Sequence, residues 1–131
     1  MSGELTVANA GAVAIRAEGE ALGELLKPLT REIHLFDSYV AGTTHLSDPA
    51  VLDEIAPGDR LTLQREQNRF DDNAIVLLTQ AGRKLGYVPE ADNLIFARLM
   101  DAGKLLGAQI ADITPRGKFR QIRIGIYLVD F

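Results

Sequence analysis

Arg60-Leu61-Thr62-Leu63-Gln64-Arg65, then Asn68-Arg69-Phe70-Asp71-Asp72-Asn73, then Ala74-Ile75-Val76-Leu77-Leu78 is the run from which the architecture of this chain is read. The first hexapeptide alternates polar and apolar residues, so a side-chain period of two places Leu61 and Leu63 on one face of a strand. The last five residues are continuously apolar and bounded by turn formers, which marks a second, more deeply buried strand. Pro57-Gly58-Asp59 turns the chain into the first strand, and Ala81-Gly82 turns it out of the second into Lys84-Leu85-Gly86-Tyr87-Val88. Three strands joined in this way form an antiparallel meander.

Downstream, Pro89 stands where a helix can begin, and Leu94, Ile95, Leu99 and Ala102 recur at helical spacing until Gly103 supplies a left-handed cap. Residues 107–114 and 119–129 read as two strands joined by Pro115-Arg116-Gly117-Lys118, with Ile122, Ile124, Ile126 and Leu128 on one face and Arg120 just outside it. Upstream, Ile33, Leu35 and Tyr39-Val40-Ala41 make another strand, Gly42-Thr43-Thr44-His45 a turn or bulge, and Asp48-Pro49 the opening of a single helical turn. The expected fold is mainly β with one or two helices: about six short strands and a central helix in a small, strongly curved antiparallel sheet of the barrel type. Residues 18–26 carry Ala21, Leu22, Leu25 and Leu26 between glutamates, an amphipathic helix ending before Pro28, and residues 1–17 lack a period and read as an arm. The expected division is therefore an arm with a short helix over 1–30 and a β-barrel domain over 31–131.

Composition narrows the function. At 131 residues, 47% hydrophobic and 24% charged, the chain fits one globular domain with its own core. The absence of cysteine excludes disulfides, thiol nucleophiles and thiolate metal sites. No run of about twenty apolar residues is present to span a membrane. Met1-Ser2-Gly3-Glu4 lacks the basic and apolar regions of an export signal, so a cytoplasmic location is expected. A net charge of −4 argues against binding nucleic acid by bulk counterion release. The charge is uneven, however: residues 1–82 hold six Lys/Arg against thirteen Asp/Glu, and residues 83–131 hold eight against five.

The loop 67–73 offers an aromatic face, a donor and an acceptor at one place, the equipment of a binding site. Each residue also has a structural reading. Phe70 and Tyr87 can pack in the core or at its rim, and Tyr39 can pack across strands. Asp71, Asp72 and Asn73 can cap a turn, and Arg116, Lys118, Arg120 and Arg123 can form an ordinary solvated hairpin rather than a phosphate track. Catalysis is not expected. His34 and His45 lie eleven residues apart with no carboxylate at metal-ligand spacing, Ser38 and Ser47 sit in no nucleophile elbow, and neither a cofactor nor a metal is implied.

Five segments, Tyr39-Val40-Ala41-Gly42, Gly58-Asp59-Arg60-Leu61-Thr62-Leu63-Gln64-Arg65-Glu66, Asn68-Arg69-Phe70-Asp71-Asp72-Asn73-Ala74-Ile75, Leu85-Gly86-Tyr87-Val88-Pro89 and Leu99-Met100-Asp101-Ala102-Gly103, resemble the HIRAN domain in order and spacing over residues 33–129. The resemblance implies a small OB/SH3-like antiparallel β-barrel that binds single-stranded DNA and captures its free 3′-hydroxyl end, as in the fork-remodelling helicases that bear it. Carried over by position, Tyr39 matches an aromatic that stacks on a base. Asn68, Phe70 and Asp71 match the loop around the terminal nucleotide, with Asp71 accepting the 3′-hydroxyl. Tyr87 matches a pocket residue and Phe119 falls near a second stacking aromatic. The chain departs from the family at Ser38, where Arg can contact phosphate, at Arg69, where Pro is usual, and at Phe70, which lacks the hydroxyl of the commoner Tyr. Arg69 then supplies a substitute charge from the loop. The implied function is a free-standing DNA-end-binding module in DNA repair or replication-fork processing, working with a separately encoded helicase or nuclease. The alternative is a protein-interaction or oligomerisation module, a homo-oligomer included, without DNA affinity.

Overall fold

The computed structural model describes residues 31–130, and the arm and helix expected over 1–30 lie outside the described residues. The alternating hexapeptide is strand β2 (Arg60–Arg65), with Leu61 and Leu63 buried and the residues between them facing out. It pairs on one side with β3 (Ile75–Leu78), whose apolar run is buried on both faces at Ile75, Val76 and Leu77. β4 (Lys84–Tyr87) completes the meander. On its other side β2 pairs with β5 (Leu105–Arg116), which forms a long hairpin with β6 (Phe119–Asp130). β1 (Arg31–Tyr39) lies beyond β6, giving one six-stranded sheet in the order β1-β6-β5-β2-β3-β4. The inner faces of these strands, with Ile122, Ile124 and Ile126 of β6 almost fully buried, make a single apolar core.

What curls this sheet is a junction between its two edges. Just past β1, the Val40 amide donates to the Ile122 carbonyl of β6 at 2.9 Å, while Ala41 exchanges backbone hydrogen bonds of 2.8 and 2.9 Å with Tyr87 of β4. The chain leaving one edge strand is thereby bonded to the opposite edge, and the sheet becomes a curled half-barrel. Gly86 permits the approach: a Cβ there would stand 2.4 Å from the Ala41 carbonyl oxygen and 2.5 Å from a Val40 methyl.

The structure differs from the sequence reading in two details. The strand expected over 107–114 extends at both ends to Leu105–Arg116 and carries a β-bulge between Ile110 and Asp112, while the long final strand lies where it was expected, at Phe119–Asp130. Helix α1 spans Asn93–Asp101, later than Pro89, because Pro89 first makes a tight turn in which the Asp92 amide donates to its carbonyl. The helix also presents a different face. Asn93, Phe96 and Ala97 are buried, with Phe96 5.9 Å from the ring of Phe36, whereas Leu94 and Ile95 are exposed. The 93/96/97 spacing is as helical as the one read from the leucines, and a polar first member hid it. The C-terminus follows expectation: Gly103, at φ 91°, donates to the Met100 carbonyl and Lys104 to that of Leu99, a Schellman closure.

The closing junction yields a direct expectation. Gly86→Ala should destabilise the domain by about 3 kcal/mol, because the clash is with backbone that cannot move without opening the barrel. Urea unfolding of the variant checks this, and a midpoint equal to that of the parent would contradict the geometry.

Candidate functional site

The loop joining β2 to β3 is shaped by its own side chains. Asn68 Oδ1 accepts from the Phe70 amide at 2.8 Å and Asp71 Oδ1 from the Asn73 amide at 2.9 Å, two successive turns of the kind Asn and Asp favour. The polar side chains are folded back on the backbone, and the Phe70 ring stands out, 81% exposed. The Arg69 guanidinium carbon lies 5.1 Å from the centroid of that ring.

Three neighbours brace the loop. Arg65, at the end of β2, donates to the carbonyls of Ala74 at 2.8 Å and Asp72 at 3.0 Å and to the Asp101 carboxylate at 2.9 Å, tying the loop to the end of α1. Arg98 of α1 donates to Asn73 Oδ1 at 3.2 Å. Asn93, 2% exposed, donates to Asp71 Oδ2 at 2.8 Å. One residue earlier, Asp92 accepts from the Ser38 hydroxyl at 2.9 Å, so the start of α1 links the end of β1 to the loop. Asp92 spends its carboxylate on Ser38 rather than on capping its own helix.

Tyr87 joins the same assembly. Its hydroxyl donates to Glu66 at 2.7 Å and accepts from Lys84 Nζ at 2.7 Å, and Asn68 Nδ2 donates to Glu66 at 3.3 Å. An open cleft of about 540 Å³ adjoins, lined by Arg65, Glu66, Gln67, Asn68, Arg69 and the two aspartates Asp72 and Asp101. The Arg65 guanidinium, by its hydrogen bond to Asp101, holds that carboxyl below its usual range.

Of the residues singled out in the sequence, Asn68, Arg69, Phe70 and Asp71 occupy one loop, and hydrogen bonds connect Tyr87 to it through Glu66. Tyr39 is 46% exposed and stands two residues from Ala41, at the corner where Tyr87 closes the barrel. Neither it nor Phe70 is part of the core. Phe119, also 46% exposed, lies at the tip of the β5–β6 hairpin opposite Arg116, three residues before the Ile122 that receives Val40, and no contact ties it to the loop. Asp71 does cap the turn, and it also accepts from Asn93, yet each of its oxygens keeps acceptor capacity. The hairpin arginines serve their own surroundings: Arg116 bonds Gln121, Arg120 the Leu52 carbonyl and Asp53, and Arg123 Asp112. Among the described residues no group of three His, Asp or Glu could hold a metal ion, and no helix is long and apolar enough to cross a membrane.

Sequence reasoning missed Glu66, Lys84, Asp92 and Asn93. Asn93 had a signal, a polar residue in helical phase with Phe96 and Ala97, which in a buried face demands a partner. Glu66 had none beyond its place at the end of an alternating strand.

A curled half-barrel with this braced loop defines a small, mainly β domain, and the family follows from direct comparison. The HIRAN domain model matches residues 33–128, so the chain belongs to the HIRAN domain family, which is known as a family of DNA-binding domains. None of the curated protein sequences compared with the chain matches it. The fold is shared with a Lactobacillus plantarum protein of known crystal structure, at 27% identity and TM-score 0.71 over 78% of this chain and 99% of that one. It is shared too with the HIRAN domain of human HLTF, at 14% identity and TM-score 0.60 over 76% of this chain and 79% of that one.

Two expectations follow for the frame of the loop. Asn93→Ala strips Asp71 of its buried donor and should cost about 1–3 kcal/mol in urea unfolding, with faster amide exchange at Asn73; unchanged stability and exchange would show that Asn93 is not a brace. Because Asp101 titrates below its unfolded value, the Arg65 pair adds stability fully present above the ordinary carboxylate pKa, near pH 4, and lost as the pH falls through the lowered value. Arg65→Met should therefore flatten that part of the acid limb of the stability curve, and an identical limb in parent and variant would contradict the pairing.

Proposed function

We propose that the domain binds single-stranded DNA and holds its free 3′-hydroxyl end. The observation that carries this reading is the Phe70 ring, a large apolar surface left 81% in water by a loop whose Asn68, Asp71 and Asn73 are braced. Exposed rings of that kind suit base stacking, which is indifferent to sequence and contributes about 1–3 kcal/mol per base. Tyr39 offers a second ring at the corner of the barrel, and Tyr87 fixes the Glu66 carboxylate beside Asn68. Asp71 is the acceptor for the terminal hydroxyl. Carboxylates at this place favour a free hydroxyl over a continuous phosphodiester, since they accept a hydrogen bond from the one and repel the other. Such a grip needs few phosphate contacts and is compatible with a net charge of −4. Phe119, at the tip of the β5–β6 hairpin, offers a further exposed ring to a strand that reaches the tip.

In this reading the domain presents DNA ends to a separately encoded helicase or nuclease in repair or fork processing. A second reading, a protein-interaction module, has the exposed Leu94 and Ile95 of α1 in its favour. Fluorescence polarisation with short strands ending in 3′-hydroxyl or 3′-phosphate separates the two. The DNA-end reading expects preference for the hydroxyl, roughly a 5- to 150-fold loss of affinity in Phe70→Ala, and loss of the end preference in Asp71→Ala. Equal binding of both ends by the parent, or an intact preference in Asp71→Ala, would contradict end recognition; no binding at low salt would favour the interaction module.

A further inference from the structure

Arg69 stands apart from the other described arginines. Those are engaged within the fold: Arg60, Arg65, Arg83, Arg120 and Arg123 with carboxylates, and Arg98 with the Asn73 amide oxygen. Among the described residues Arg69 makes no hydrogen bond or ion pair, although Glu66 and Asp72 line the same cleft. Its one contact is with the Phe70 ring, 5.1 Å from guanidinium carbon to centroid. An arginine resting on an aromatic face is held in place without its charge being neutralised, because the ring leaves the in-plane N–H donors unspent.

We propose that Arg69 is kept as an uncommitted cation on Phe70 in order to receive one backbone phosphate of a bound strand while a base stacks on the open part of the ring. The inference rests on the single-stranded DNA reading above and adds to it the anionic contact at this site. Three observations converge. The guanidinium has no competing carboxylate partner to give up, so its transfer to a phosphate costs little. The ring beneath it is 81% exposed, leaving surface for a base next to the cation. Glu66 and Asp72 line the cleft beyond Arg69 and discourage a second phosphate from entering. The contact is therefore single, at the loop, and adjacent to the stacked base.

The test is a polarisation titration of the full chain with a short 3′-hydroxyl strand from 50 to 200 mM salt, using the parent, Arg69→Gln, Arg69→Lys and Asp72→Asn. Neutralising one phosphate on a single strand steepens the dependence of log affinity on log salt by about 0.7, so over this range the parent should lose about 2.6-fold more affinity than Arg69→Gln. Arg69→Gln should bind more weakly than the parent at 50 mM salt, Arg69→Lys should keep the parent slope, and Asp72→Asn should bind more tightly. If Arg69→Gln binds as well as or better than the parent with the same slope, Arg69 is a cover over the ring and the inference is overturned, while the DNA reading stands. If the parent binds no strand, both fall. Circular dichroism of each variant confirms folding, and the exposed loop position makes loss of the fold an unexpected result.

Discussion

Everything else in this domain depends on the paired hydrogen bonds between Ala41 and Tyr87. They join the far edges of one sheet, and that junction gives the core a curved wall to fill. It also fixes the two ends of the site: the segment leaving Tyr39 on one side and Tyr87, with its hydroxyl on Glu66, on the other. The closeness of the contact explains why glycine stands at position 86, where any side chain would meet the Ala41 carbonyl. A short motif, Gly-Tyr-Val-Pro, thus serves closure through its glycine, site geometry through its tyrosine and core filling through Val88, which is 2% exposed.

The loop repeats this economy with side chains. A seven-residue polar connection would ordinarily cost conformational entropy to order and would gain little burial in return. Here Asn68 and Asp71 close local turns, Arg65 holds two carbonyls, and Asn93 anchors Asp71 from a buried position on α1. With its polar groups satisfied internally, the loop can afford to leave one aromatic ring and one arginine facing solvent. The bracing leaves the Phe70 ring in solvent and the Arg69 guanidinium without a carboxylate partner, beside an Asp71 that keeps acceptor capacity.

Much of this was legible in the chain itself. The alternation around Leu61 and Leu63, the apolar run 75–78 and the isoleucine series of the last strand specify their elements through burial periodicity, and burial is what the sheet rewards. Helix α1 was legible as a helix but not in its facing, because Leu94 and Ile95 look like a core stripe and are not one; the buried stripe begins with an asparagine. The loop residues were identifiable from the polar and aromatic run and from the HIRAN resemblance. Their bracing was not, since Arg65–Asp101, Asn93–Asp71 and Ser38–Asp92 join positions 22 to 54 residues apart and no local pattern encodes such pairs. The uneven charge is a poor guide to a ligand, because the C-terminal arginines bond partners within the fold, Arg83 with Asp48 and Glu54, Arg98 with Asn73, Arg116 with Gln121, Arg120 with Asp53 and Arg123 with Asp112, whereas Arg69, in the acidic half, makes no hydrogen bond or ion pair among the described residues.

The central claim is that the exposed ring of Phe70 and its immediate neighbours form the contact surface for a nucleotide. Amide chemical-shift mapping during titration with a short 3′-hydroxyl strand tests it most directly. The account predicts shifts concentrated at residues 66–73, 38–41 and 87, saturating together. Shifts confined to Leu94 and Ile95 of the helix, or an unchanged loop in the presence of bound strand, would contradict it.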